Sequence, residues 1–267
     1  MTTFNSDGFR SAEIAEFEQA IQAKYFKKFG LAEAVNRITH RILYAVKPHS
    51  EHLPELVLAS LFSRQACAFQ AFLILLTKGL ATQAQIILRN LAEMMFITGA
   101  IGKDKTFVDK YVLSEEISRV KTLEALVRDK ERRGEEVDEK TTELIKEIRA
   151  KIQSEKLTAF TTERIAAIAE LSSYYDNIYR LTSMAAHASP RDLSAALDTD
   201  STGNIVSVGY GPIVDELDIY LDYGISMMLY IDHEVASHFG LNVIAEIEAL
   251  QKLNREQAGP SSGDASH

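Results

Sequence analysis

A chain of 267 residues with 46% hydrophobic and 25% charged residues has the balance of an ordinary globular protein of one large or two small domains. Collagen-like, low-complexity and wholly disordered chains are excluded. The 29 Lys and Arg against 38 Asp and Glu leave a net charge of −9, so no global positive field draws the protein to nucleic acid or anionic lipid. Only 13 Gly and 5 Pro are available for tight turns, which favours helices over an all-β fold.

The N-terminus, Met1 to Asp7, has no basic region leading into an apolar stretch, so no secretory signal is expected. Residues Phe9 to Val46 place Ile14, Phe17, Ile21, Tyr25, Val35, Ile38 and Ile42 at helical spacing, with a break expected at Gly30 and a stop at Pro48. This makes 1–52 an N-terminal helical segment. The main domain is expected over 53–255. Pro54 suits a first helical turn and opens a helix that Gly79 closes. Its most apolar run, Ala66 to Leu76, contains Gln70 and is too short to span a membrane. Cys67, the single cysteine, reads as a buried, inert thiol. A cytoplasmic protein with no membrane contact is the expectation. A third helix follows from Leu80 to Ile101.

Residues 115–156 carry charges of both signs around two sparse apolar lines, Ile117, Val120, Leu123 and Val127, then Leu144, Ile148 and Ile152. With a turn at residues 132–136 they form a charged helical hairpin. It is either an arm for a protein partner or a solvated pair on the surface. Helix resumes near Thr162 and stops before Pro190. A turn-like Ser201-Thr202-Gly203-Asn204 ahead of Ile205, Val206 and Val208 allows one small β-hairpin. Pro212 is then expected to begin a helix that turns Leu217, Leu221, Ile225, Met228 and Ile231 inward. A last helix ends near Leu253, and 256–267 has almost nothing to bury, so it is expected to be disordered. The sum is an all-α bundle of about seven helices.

Counting removes several chemistries. His233-Glu234 is followed by a histidine five residues on, which turns the rings about 140° apart and breaks the zinc-protease pattern. No Glu stands three residues before a histidine, as di-iron bundles require. No Walker loop, dinucleotide fingerprint or nucleophile elbow occurs. His40, His49 and His52 gather around Pro48 without a carboxylate spacing that fixes an ion, and read as surface residues. Asp218 and Asp222 share a helix face and read as solvated. No metal and no cofactor are expected.

Two polar stripes remain. Gln85, Arg89 and Glu93 recur every four residues in a helix apolar nearly all round. Such a pair must be either an internal ion pair or the lining of a wet cavity. Asp176, Arg180, Ser183 and His187 fall at offsets of four, seven and eleven, opposite Ile178, Leu181 and Ala185. His187, in a last helical turn, is placed to titrate. A fixed cation beside an imidazole suits phosphate chemistry, with Arg180 on the non-bridging oxygens and His187 moving a proton.

At these stripes the chain resembles a bacterial family of helical proteins of unknown function. The pattern leads from a glycine and small residues into Arg-x3-Glu, then Tyr-x3-Ser-x3-His. Here those are Gly79, Ala84, Arg89, Glu93, Tyr179, Ser183 and His187, with Ser189 just after. The likeness spans about 55–240 and implies that the two stripes converge. Arg180 and His187, six residues between them, also give a weaker similarity to the HEPN ribonucleases. That similarity implies metal-independent cleavage of RNA in a site composed across a homodimer, often in toxin or phage-defence systems. Leu181 departs from it, standing where a polar residue is usual. On this reading Arg180 and His187 are catalytic, and Arg89, Glu93, Asp176, Tyr179 and Ser183 support them. The alternative is a non-catalytic helical interaction protein in which Arg89, Glu93 and His187 form a structural network.

Overall fold

The computed structural model describes residues 3–186, 193–194 and 196–258. Its main helices are α1 (Ile14–Lys24), α2 (Phe26–Ala45), α3 (Leu53–Thr77), α4 (Ala81–Lys103), α5 (Phe107–Arg132), α6 (Glu139–Ser154) and α7 (Thr162–Ile168). After a wide turn come α8 (Arg180–Ala186), the strands β1 (Leu197–Thr199) and β2 (Ile205–Val208), then α9 (Asp218–His238) and α10 (Ile244–Ala258). Among the described residues, seven helices have 15 residues or more, so the fold is all-α with one small antiparallel hairpin. The hairpin pairs Leu197 with Val208 and Asp198 with Ser207, and its strand residues are exposed.

α9 runs through the middle. Its Leu221, Ile225, Met228 and Ile231 are fully buried, as their spacing predicts. Around them α2, α3 and α4 contribute Ile38, Ile42, Phe62, Phe69, Phe72, Leu88, Leu91 and Phe96 to one continuous core. The N-terminal segment therefore shares the core of the main domain. Gly224 leaves room for the Phe72 ring, because a Cβ there would stand 2.4 Å from Cε1. α3 is also long and apolar enough to cross a membrane by length and composition. The count over Ala66 to Leu76 alone misses this, since the helix extends well upstream. In the bundle α3 lends its Phe side chains to the core.

Four local expectations are corrected. The first long helix breaks at Tyr25, while Gly30 lies inside α2. The Tyr25 hydroxyl donates to the Val214 carbonyl (3.1 Å) and accepts from the Leu217 N–H (3.3 Å), which pins the bend. Pro212 begins no helix. It packs on Gly79 while the Ile213 N–H donates to the Gly79 carbonyl (2.9 Å), and α9 starts only at Asp218. α10 continues to Ala258, past the expected start of the tail, and 259–267 lie outside the described residues. Cys67 is exposed rather than buried, since it falls on the outer face of α3.

Gly79 ends α3 with φ +70° and lets the Leu80 N–H reach the Leu75 carbonyl at 2.9 Å. A Cβ would stand 2.7 Å from Pro212. Gly79→Ala is expected to lose about 1–2 kcal/mol in urea unfolding from the left-handed backbone alone, with the clash adding to it.

α5 and α6 close a small separate core of Val120, Ile145 and Ile148, with Leu123, Val127, Leu144 and Ile152 packed on it. Ion pairs Glu116–Lys151 (3.1 Å) and Glu124–Arg149 (2.6 Å) cross the seam. The expected hairpin thus fills its own apolar line, and Phe107 and Val108 root it in the body.

Candidate functional site

The edge of α4 carries Arg89 and Glu93, one turn apart, with Nη2 and Oε1 3.4 Å from each other. Their side chains are 22% and 35% exposed. They lie along a half-open edge, because Ile86 beside them faces solvent and the helix is not buried all round.

Facing this edge is a five-residue wide turn, Tyr175–Tyr179, with i→i+5 geometry. It sends Tyr179 inward to 9% exposure beside buried Ile178. The Tyr179 hydroxyl accepts from Arg89 Nη2 (2.9 Å) and donates to Glu93 Oε1 (2.9 Å). The Arg89 guanidinium also lies over the Tyr179 ring, 5.0 Å from its centroid. Guanidinium, phenol and carboxylate thus form a closed triangle, while Arg89 Nε is buried without an acceptor. Tyr179, of the Tyr-x3-Ser pattern, thus meets the Arg89–Glu93 pair.

Tyr175 extends the arrangement outward. Its ring stacks on that of Tyr179 (centroids 5.1 Å, planes 20° apart), and the Arg180 guanidinium lies over it at 5.4 Å. Arg180 Nε also meets Asp176 Oδ1 at 3.4 Å, and both side chains are 62% exposed. The contacts therefore run from Arg89 through two rings to a guanidinium in solvent. Ser183 Oγ donates to the Tyr179 carbonyl (2.7 Å), a bond within the helix. Leu181, expected with Ile178 on the face opposite the polar stripe, is exposed, while Thr182 is buried below Ile178 and donates to its carbonyl at 2.7 Å. The wide turn explains the exchange, because a count at 100° per residue does not carry across it. His187, Ser189 and Pro190 lie outside the described residues.

Sequence reasoning passed over Tyr175. The available signal was Tyr-x3-Tyr, which brings two rings to one helix face. It also read Asp218 and Asp222 as one solvated pair. Asp222 is instead bound to Lys28 of α2. Of the three histidines around Pro48, His40 lies within α2 with its Nε2 2.6 Å from Gln70 Nε2, while His49 and His52 both meet Glu55.

The geometry defines a helical domain with a guanidinium–phenol–carboxylate triangle under an exposed arginine. The family of unknown function DUF5677 matches residues 55–205, more than half of the chain, and the chain belongs to that family. The match runs from the first turn of α3 into β2, shorter than the expected 55–240, and leaves α9 outside it. No curated protein and no solved structure matches the chain.

Proposed function

We propose that the chain is a HEPN-like, metal-independent endoribonuclease acting as a homodimer, with Arg180 on the scissile phosphate and His187 as general acid and base. The placement of Arg180 supports this reading most. Its guanidinium projects into solvent, steadied over Tyr175 and against Asp176, just after a turn anchored from beneath by Tyr179, Arg89 and Glu93. A guanidinium so held offers two parallel N–H groups to the non-bridging oxygens of a phosphodiester. Asp176 is an exposed partner, which a phosphate displaces with little loss.

In the reaction the 2′-oxygen of the ribose forms a bond to phosphorus as its proton passes to the imidazole. The P–O5′ bond breaks and the departing oxygen takes a proton, leaving a 2′,3′-cyclic phosphate and a 5′-hydroxyl. Arg180 holds the negative charge that builds on phosphorus, and Arg89, Glu93 and Tyr179 are positioning residues. Toxin or phage-defence action on cellular RNA is the setting that fits such an enzyme.

The test is cleavage of end-labelled RNA by purified protein with EDTA present. His187→Ala and Arg180→Ala are each expected to lower the rate about 100-fold or more, and a DNA strand of the same sequence is expected to stay intact. Undiminished cleavage by both variants, or a wild-type protein inert towards RNA, overturns the proposal. An inert wild type favours the second reading, a helical interaction protein whose partner binds the α5–α6 arm. The observation on that side is the closed triangle, in which the Tyr179 hydroxyl spends both its hydrogen bonds inside the protein.

A further inference from the structure

At one corner of the bundle the start of α3 meets the end of α9, and His52, Glu55 and His238 come together there. One ligand atom from each lies within 4.8 Å of the other two. His52 Nδ1 is 3.1 Å from Glu55 Oε1. Two ligands held about 2.0 Å from a tetrahedral ion stand about 3.3 Å apart, so this pair already has the required edge. His52 caps the start of α3 with extended backbone, and Glu55 follows three residues on in the first turn. His238 comes from the last turn of α9, brought in by the core packing of that helix.

The other carboxylate oxygen is also fixed. Glu55 Oε2 accepts from the His49 backbone N–H at 2.8 Å and meets His49 Nδ1 at the same distance. This is the outer contact that orients a carboxylate ligand and leaves Oε1 free to turn towards an ion. Behind His238 lies a cleft of about 250 Å³, lined by Leu58, Thr98, Gly102, Glu234 and Ser237.

We propose that His52, Glu55 and His238 bind a divalent transition-metal ion of the zinc class, with a fourth position open to the cleft. Two imidazoles and one carboxylate suit zinc and its neighbours and are a poor set for calcium or magnesium, which take oxygen ligands. Without the ion, His52 pairs with Glu55 at the same edge, and the ion takes the place of that contact. The site shares no residue with the Arg180–His187 face and stands whether or not the chain cleaves RNA.

The experiment uses the full chain without an affinity tag, stripped with a chelator, dialysed, and titrated with zinc by calorimetry and with cobalt by visible absorption. Wild type is expected to bind one ion per chain, to show the bands of four-coordinate cobalt, and to melt at a higher temperature as zinc is added. His238→Ala and Glu55→Gln are expected to weaken zinc binding about 100-fold or more, and His49→Ala about 10-fold. His40→Ala leaves binding unchanged. Circular dichroism accompanies each variant, and His238→Asn replaces His238→Ala if the latter fails to fold. A wild type with no saturable zinc binding, or a folded His238 variant that titrates like wild type, overturns the proposal.

Discussion

Asp232→Asn is expected to make the protein more stable at neutral pH, by about 1–3 kcal/mol for a buried polar group freed of its charge. Asp232 sits on α9 with no exposed surface, and its Oδ1 has no partner. Burial pushes its carboxyl well above the ordinary carboxylate range, with the Thr39 contact opposing the shift. Thr39 Oγ1 lies 2.8 Å from Oδ2 and 2.9 Å from the Val35 carbonyl. One hydroxyl proton cannot serve both. With Asp232 protonated, the carboxyl donates to Thr39 and Thr39 donates to Val35, and only Oδ1 stays unserved.

The sign follows from the raised value. The unfolded chain ionises near pH 3.8 while the native chain resists. The contribution of this group to stability is full below that pH and is lost progressively as pH rises towards the native value. Asparagine has no such loss. Urea unfolding across pH 4–8 is therefore expected to give curves that diverge as pH rises, with the variant above. Parallel curves would show that Asp232 ionises alike in both states.

Tyr179→Ala is expected to lower stability by about 3–5 kcal/mol, the range for removing a buried aromatic side chain. The ring packs on Phe96 and Tyr175 and carries the Arg89 contact as well. Tyr179→Phe separates the two roles. It keeps the ring and removes the hydroxyl between Arg89 and Glu93, leaving them only their 3.4 Å approach, and is expected to lose about 1–2 kcal/mol. A double-mutant cycle with Arg89→Ala measures the coupling, and equal losses from Tyr179→Phe with and without Arg89 would dissolve the triangle. In the nuclease assay a positioning role predicts a lower kcat at unchanged KM for Tyr179→Phe.

What the sequence disclosed follows physical range. Leu217, Leu221, Ile225, Met228 and Ile231 turned inward as spaced, and the lines of Val120 and Ile148 met in one seam, because local periodicity governs both. Gly79 ended its helix for a backbone reason that one residue carries. The bend at Tyr25 was hidden because its cause lies at Val214 and Leu217, far along the chain. The corner of His52 and His238 was hidden in the same way, since only the packed bundle makes them neighbours. Arg89, Glu93 and Tyr179 were legible as candidates, and the phenol as their link was not. That link depends on a wide turn which a uniform helical count does not anticipate.

The wide turn also sets the rotational phase of α8. Five residues sit where four would close an ordinary α-turn, so one residue's worth of rotation is stored in Tyr175–Tyr179. If the turn tightened and passed that residue downstream, every later side chain of α8 would swing about 100° around the helix axis. Arg180 would leave Tyr175, all without a hinge in any loop.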